Sequence, residues 1–160
     1  RELSVLLDVQ ERSGPCFLVT LDHGAPSARI VDALLPTEGV GTVYVATRTY
    51  TRKVGQVNRE ERVALAFNMA AEIAFVSLSG TARIVTDINE KKRHWKKGWH
   101  KFYPGGPTSA DYCLLAIEPT RLEVVAHGAG LDLHWAPVIL ERKDGIWLYT
   151  QKHKALRRES

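Results

Sequence analysis

The chain has 160 residues, of which 44% are hydrophobic and 25% are charged, a composition typical of one folded globular domain. It excludes disordered, collagen-like and coiled-coil chains, and its apolar runs fall far short of the ~20 residues that a membrane-spanning helix needs. We therefore expect residues 1–160 to form a single domain that makes no membrane contact. The net charge of +4 suits an anionic small ligand, a nucleic acid or no specific partner, and does not decide between them.

Cysteine and histidine usage indicates the compartment and the absence of a metal site. Cys16 and Cys113 are too few for a disulfide framework, and charged residues interrupt the first ten positions, which is unlike a signal peptide. We therefore predict a cytoplasmic protein with unpaired thiols. The six histidines show no metal-binding spacing, so no metal site is expected.

The hydrophobic pattern predicts a mainly β protein with short helices. Helical spacing predicts helices over residues 1–12, 51–59 and 87–101. Alternation and turn signals predict strands over residues 16–21, 27–35, 42–47, 63–68, 72–85, 112–118, 121–127, 137–142 and 146–150. Because no strand–helix–strand alternation occurs, we expect an antiparallel β-barrel (α+β class) with short flanking helices.

Local signals add details to this outline. Residues 22–24 predict a hairpin loop somewhat longer than two residues, and Asp144-Gly145 predicts a second hairpin. Gly80 predicts a bulge or bend within its strand. Asp87, with a glutamate three residues on, has the form of a helix capping box. Residues 119–120 are interpreted as a turn between two strands.

Basic and hydroxyl residues converge from three predicted elements. Arg29 lies on the second strand, Thr47 ends the third, and Thr51, Arg52 and Lys53 begin the following helix. A phosphate monoester needs cations, hydroxyl donors and free helix N–H groups together, and this set supplies them. The alternative is that the basic residues only solvate the helix.

The order of several segments resembles a known family. The segments are residues 27–31, 43–47, 51–53, 63–67 and 76–82, followed by a Trp-bearing helix, residues 102–106 and Asp111-Tyr112. Over residues 1–127 the chain resembles the pyridoxamine 5'-phosphate oxidase-like, flavin-binding split barrels, in particular their general stress protein branch. The resemblance implies a split β-barrel that forms a homodimer and binds FMN at the subunit interface.

The resemblance also implies particular cofactor contacts. These are Arg29, Ile30, Val31, Ala46, Thr47, Thr51, Arg52, Lys53 and Trp99. Trp95 and Trp99 share one face of the predicted third helix, which favours packing in the core or at a dimer contact, with flavin stacking from the partner subunit as the alternative. The basic face of that helix is interpreted as solvated, so nucleic-acid binding is not expected.

Three departures from the true oxidases argue against pyridoxamine phosphate as a substrate. Asp32 follows Val31 where those enzymes continue towards a lysine, and Phe75 stands where a glutamine is expected. Residues 132–136 replace an Arg-Leu-His-Asp-Arg pattern, which places Asp132 where an anionic substrate needs a cation. His134 is the candidate catalytic acid or base, and the alternative is that it caps a loop.

The resulting functional hypothesis is an FMN-dependent oxidoreductase that transfers hydride or electrons, with NADH or NADPH as the candidate donor. The alternatives are a non-catalytic flavin-binding or stress-response module, a deazaflavin-dependent reductase, and a haem-handling relative. Because fold does not determine function, the sequence leaves these open.

Overall fold

Nine β-strands and three short α-helices make up the part of the chain that the computed structural model describes, residues 1–131 and 136–151. The helices are α1 (Glu2–Ser13), α2 (Arg52–Arg59) and α3 (Ile88–Arg93). The strands are β1 (Cys16–Asp22), β2 (Ala25–Val31), β3 (Ala33–Leu34), β4 (Val43–Arg48), β5 (Arg62–Met69), β6 (Ala74–Val85), β7 (Tyr112–Ala126), β8 (Val138–Lys143) and β9 (Ile146–Gln151). Short 3-10 turns cover Ala70–Glu72, Lys97–Lys101 and His127–Ala129.

All the strands belong to one antiparallel sheet, whose main path is β2-β1-β5-β6-β7-β4-β3. The chain passes from β2, at one end of this path, to β3, at the other end, through Asp32 alone. The sheet therefore curls into a barrel that is split at this crossing, which we call the seam. The predicted split β-barrel is confirmed, but the single strand predicted over residues 27–35 is wrong, because its two halves pair with different neighbours.

β7 is one long strand, so the turn predicted at residues 119–120 is also wrong. The pairing of β6 with β7 shifts register between Ser79 and Gly80, as the glycine predicted. A Cβ atom at Gly80 would lie 2.0 Å from the carbonyl oxygen of Glu118, so only glycine fits against this backbone. The shift bends β7 without ending it. Its first half pairs with β4 and its second half with β8.

The barrel interior is filled by the inward-facing residues of these strands. Leu18, Leu65, Phe67, Leu115 and Leu122 are all fully buried. The apolar face of α1, with Leu6 and Val9, packs onto the same cluster and accounts for the predicted first helix. Both thiols, Cys16 and Cys113, are buried and free.

Two-residue turns close both hairpins. His23 and Gly24 have φ values of 49° and 84°, so the first turn is shorter than predicted. Asp144 and Gly145 have φ values of 50° and 80° and form the turn predicted at this position. Left-handed backbone at both positions suits the twist of the strands.

The helix predicted over residues 87–101 is interrupted. Asp87 caps α3 as predicted, since its carboxylate accepts from the Glu90 N–H at 2.8 Å, but α3 ends at Arg93. The chain then turns so that the ring of Trp95 packs edge-on against Tyr112, with 5.1 Å between centroids. Lys91, expected on a solvated face, is buried and donates to the Ser109 carbonyl at 2.8 Å. The packing of Trp95 on Tyr112 therefore accompanies the end of α3 at Arg93, where the sequence predicted a continuous helix.

Candidate functional site

A cavity of about 540 Å³ lies at the seam, where β2 and β4 come together. This volume is within the ~300–1,000 Å³ typical of small-ligand sites. Its lining comes from the end of β2 and the residue after it, the end of β4, the start of α2, the Lys97–Lys101 turn and the two residues after that turn. The lining residues are Ile30, Val31, Asp32, Ala46, Thr47, Arg48, Thr51, Lys53, Trp99, Lys101, Phe102 and Tyr103.

A chain of hydrogen bonds joins the residues that line the cavity where β4 meets α2. The Lys53 ammonium donates to the Thr47 hydroxyl at 3.0 Å, and the hydroxyls of Thr47 and Thr51 are 3.1 Å apart. Thr51 in turn donates to the Arg48 carbonyl at 2.9 Å. Because Thr51 has only one hydroxyl hydrogen, Thr47 is the donor to Thr51. Lys53 retains two N–H groups with no acceptor among the described residues.

The charge on Lys53 is not compensated by a carboxylate. No ion pair joins it to an acidic side chain in the part of the chain that the structure describes. Partial burial lowers the pKa of Lys53, and the nearby Arg29 charge lowers it further. Both effects oppose the charged form, so an anion placed here would be bound by a cation that lacks a counter-ion.

Arg29 does not line the cavity but lies beside it, beneath α2. Its two terminal nitrogens donate to Thr20 (2.6 Å), the Leu18 carbonyl (3.4 Å), Ser27 (2.9 Å) and Gln56 (2.7 Å). Burial lowers the pKa of Arg29, and the charge of Arg52 contributes to the same effect. These contacts occupy the four terminal N–H groups of the guanidinium.

The structure thus brings together seven of the nine residues proposed as cofactor contacts. Ile30, Val31, Ala46, Thr47, Thr51, Lys53 and Trp99 line the cavity. Arg29 and Arg52 do not, although both add positive charge close to Lys53.

Aromatic residues form the opposite side of the cavity. We call Trp99, Phe102 and Tyr103 the aromatic wall. Arg48 holds this wall to β4, since it donates to the Phe102 carbonyl at 2.6 Å and lies 5.9 Å from the Tyr103 ring centroid. Trp99 also packs against Tyr103 at 6.2 Å, which gives it both a packing contact and a place in the cavity.

Sequence reasoning missed several lining residues. Asp32, Arg48 and Lys101 were not predicted as site residues, yet all three line the cavity. The single-residue crossing at Asp32 had no local signal. The aromatic segment over residues 102–106 was the signal that could have located Phe102 and Tyr103.

The candidate catalytic residue His134 lies outside the described residues, as does Asp132. Within residues 1–131 and 136–151, no group of three or more histidine, cysteine, aspartate or glutamate side chains could hold a metal ion. None of the helices in those residues is long and apolar enough to cross a membrane.

Comparison with solved structures identifies proteins of the same fold. One is a Clostridium acetobutylicum protein related to general stress protein 26 of B. subtilis, with a TM-score of 0.73, 22% identity and coverage of 87% of this chain and 93% of that chain. A general stress FMN/FAD binding protein from Xanthomonas citri has a TM-score of 0.66, 23% identity and coverage of 78% and 89%. A pyridoxamine 5'-phosphate oxidase-related, FMN binding protein from Nostoc punctiforme has a TM-score of 0.65, 14% identity and coverage of 91% and 92%.

Sequence comparison gives the family. No curated protein matches the chain. The family model described as pyridoxamine 5'-phosphate oxidase like matches residues 6–135, which is most of the chain and includes every element that lines the cavity. The chain therefore belongs to the pyridoxamine 5'-phosphate oxidase-like family.

Proposed function

We propose that the seam cavity binds FMN and that the protein is a flavin-dependent oxidoreductase. The observation that carries the proposal is the group of three cations, Arg29, Arg52 and Lys53, beside two hydroxyls with no carboxylate paired to any of them in the described residues. Such a group is stable when a ligand supplies the negative charge. The FMN binding named for the Nostoc punctiforme and Xanthomonas citri proteins supports the same cofactor.

The phosphate of FMN belongs at the start of α2. There Lys53 offers two free N–H donors, and the first turn of the helix offers backbone N–H groups without intrahelical acceptors. The Thr47 hydroxyl donates to Thr51 and the Thr51 hydroxyl donates to the Arg48 carbonyl, so both would have to rotate to donate to a phosphate. Arg52, exposed at the same turn, adds charge at the rim. A phosphate carries roughly −1.5 to −2 charge near neutral pH and matches this set.

The flavin ring belongs between the end of β2 and the aromatic wall. Ile30, Val31 and Ala46 supply an apolar surface, and Trp99 supplies an aromatic one. A bound flavin would supply hydride and electron transfer, and these residues would hold, orient and shield it. NADH or NADPH is the proposed donor.

Pyridoxamine phosphate is not the proposed substrate. Asp32 lines the cavity, next to Ile30 and Val31. A carboxylate at this position repels a second anionic phosphate that approaches the flavin.

We also propose that a second copy of the chain completes the site. Ile30 lines the cavity and is 67% exposed, and its cross-strand neighbour Phe17 is 47% exposed. Phe75 continues the same outer face of the sheet. An apolar face that borders a ligand site fits an interface between two copies, because a partner would cover both the face and the open side of the cavity.

The first experiment is a titration of purified protein with FMN, riboflavin and a deazaflavin cofactor, followed by fluorescence. We expect saturable FMN binding that is tighter than riboflavin binding and tighter than deazaflavin binding. Reduction of the bound flavin by NADH or NADPH, at a rate that saturates, would support the oxidoreductase.

Three outcomes contradict parts of the proposal. Absence of FMN binding overturns the assignment of FMN as the cofactor. Flavin binding without reduction by NADH or NADPH contradicts the oxidoreductase and indicates a protein that only binds flavin. Rapid oxidation of pyridoxamine phosphate overturns the argument from Asp32.

For the dimer, sedimentation should show two chains per particle for the wild type and one for the Phe17→Glu, Ile30→Glu variant.

The cytoplasm is the compartment that we propose. The free, buried thiols of Cys16 and Cys113 fit a reducing environment.

A further inference from the structure

Gln56 is a buried polar residue whose role the cofactor contacts do not explain. It lies on the inner face of α2, three residues after Lys53, and only 2% of it is exposed. Its Oε1 atom accepts two hydrogen bonds, from the Thr20 hydroxyl at 2.6 Å and from Arg29 at 2.7 Å. The Thr20 hydroxyl itself accepts from Arg29 at 2.6 Å and is fully buried.

Among the residues that the structure describes, this network holds a cation with neutral partners only. The acceptors of the Arg29 guanidinium are two hydroxyls, one side-chain amide and one backbone carbonyl. Carboxylates are the partners that bind a guanidinium most strongly, and a glutamate has the same shape as Gln56. The amide therefore gives Arg29 a fixed orientation and leaves its positive charge unneutralised.

The position of Arg29 makes that charge relevant to the cavity. Arg29 donates to Gln56, which lies three residues after Lys53 on α2, and Lys53 lines the cavity. The charge of Arg29 also lowers the pKa of Lys53. The contact of Gln56 with Arg29 also ties the inner face of α2 to β2, on the opposite side of the helix from solvent. A positive field from Arg29 acts on any anion at Lys53 without a direct contact.

We infer that Gln56 is a positioning residue that keeps Arg29 as an uncompensated cation beside Lys53 and thereby sets the preference of the cavity for ligands with a terminal phosphate monoester. The inference rests on the proposed function, because it assumes that the ligand phosphate lies at Lys53. It adds a residue outside the cavity and a selectivity that the cavity lining does not specify.

The test is the ratio of the riboflavin dissociation constant to the FMN dissociation constant, which isolates the contribution of the phosphate. Gln56→Glu keeps the shape and both accepted hydrogen bonds while adding one negative charge, and we expect it to lower the ratio about tenfold or more. Gln56→Met, which accepts no strong hydrogen bond, should lower the ratio by a smaller factor. Asn58→Asp adds the same charge at an exposed position of α2 and is the control, with a ratio close to that of the wild type.

Each outcome has a distinct meaning. A wild type that prefers FMN, together with an unchanged ratio in Gln56→Glu, overturns the inference and leaves the proposed function intact. If the ratio is unchanged because the binding of riboflavin and of FMN weakens equally, Gln56 has a structural role only. A wild type that binds riboflavin as tightly as FMN overturns the phosphate assignment and the inference together. Circular dichroism and melting temperature confirm that the variants are folded.

Discussion

The ammonium of Lys91 lies 5.4 Å from the ring centroid of Tyr112, and both side chains are buried against the cluster that carries the aromatic wall. The Lys91 ammonium is satisfied by the Ser109 carbonyl, but the Tyr112 hydroxyl is buried without a hydrogen-bond partner in the described part of the chain. Burial also raises the pKa of Tyr112, so this hydroxyl stays neutral. The ring of Tyr112 packs against neighbouring aromatic rings, whereas its hydroxyl is a buried polar group without a hydrogen bond in the described part of the chain.

Tyr112→Phe should therefore be neutral or stabilising. Because the substitution removes an unsatisfied buried group and keeps the ring, we expect the free energy of unfolding to be unchanged or higher by up to about 1 kcal/mol. Tyr44→Phe is the matched control: the Tyr44 hydroxyl donates to Glu90 at 3.1 Å, and its loss should lower stability by about 0.5–1 kcal/mol. Urea unfolding measures both. Greater destabilisation by Tyr112→Phe than by Tyr44→Phe would contradict the assignment.

The second prediction concerns the cations at the start of α2. Replacing Arg52 and Lys53 together by alanine should weaken FMN binding ~100-fold or more, since each charge-assisted phosphate contact is worth roughly 1.5–3 kcal/mol. Riboflavin binding should change much less. The control replaces the adjacent pair Lys92 and Arg93, exposed on α3, by alanine, which removes the same charge away from the cavity. Equal FMN affinity of the two double variants in a fluorescence titration would refute the placement of the phosphate.

The third prediction concerns the bend between β6 and β7. Gly80→Ala places a methyl group 2.0 Å from the Glu118 carbonyl oxygen, so backbone must move. We expect a loss of about 2 kcal/mol or more in the free energy of unfolding. Gly128→Ala is the control, because a Cβ atom there meets nothing within 4 Å. Similar denaturation midpoints for the two variants would show that β7 does not approach Gly80 as described.

The fourth prediction concerns thiol reactivity. Burial raises the pKa of Cys16 from 9.0 to about 12, and burial also raises the pKa of Cys113. A raised folded pKa favours the neutral thiol, so this contribution to stability is present below about pH 9 and is lost as the pH rises towards 12. At pH 8 the native protein should not react with a disulfide reagent, whereas the urea-unfolded protein should react at both cysteines.

A Thr86→Cys variant supplies the positive control for this measurement, because Thr86 is exposed. It should gain one thiol that reacts at once in the native state. Fast reaction of the native wild type would contradict the burial of Cys16 and Cys113.

Local signals sufficed for much of the fold. Alternating apolar residues predicted most strands, the Asp87 carboxylate predicted the start of α3, and Asp144-Gly145 predicted the last hairpin turn. Each of these depends on a few neighbouring residues. Gly80 also predicted the irregularity in β6, because a glycine within a strand usually marks a close backbone approach.

The errors arose where distant contacts decide the structure. Pro119 was interpreted as part of a turn, yet the register shift at Gly80 accommodates it inside β7. The helix that begins at Asp87 ends early because Trp95 packs onto Tyr112, which follows in the sequence only after an intervening loop. Residues 27–35 divide at Asp32 because their two halves pair at opposite ends of the sheet.

Seven of the nine residues named from the resemblance line the cavity, but their arrangement was not predicted. A motif that contains Arg29 and Lys53 indicates a cationic site, but it does not reveal which cation faces the cavity. That distinction depends on Thr20 and Gln56, which occupy the terminal N–H groups of Arg29 from β1 and α2. Neither residue belongs to the motif.

The one-residue crossing at Asp32 limits which side of the cavity can move. Val31 and Ala33 are only two Cα steps apart, at most about 7.6 Å, so the two ends of the sheet cannot separate there. The cavity is therefore bounded on the barrel side by two strand ends whose separation is fixed. The side that can yield is the aromatic wall, whose attachment to β4 includes the Arg48 contacts with Phe102 and Tyr103. Movement that widens the cavity would therefore begin with loss of the Arg48 contact with the Phe102 carbonyl, which leaves the barrel unchanged.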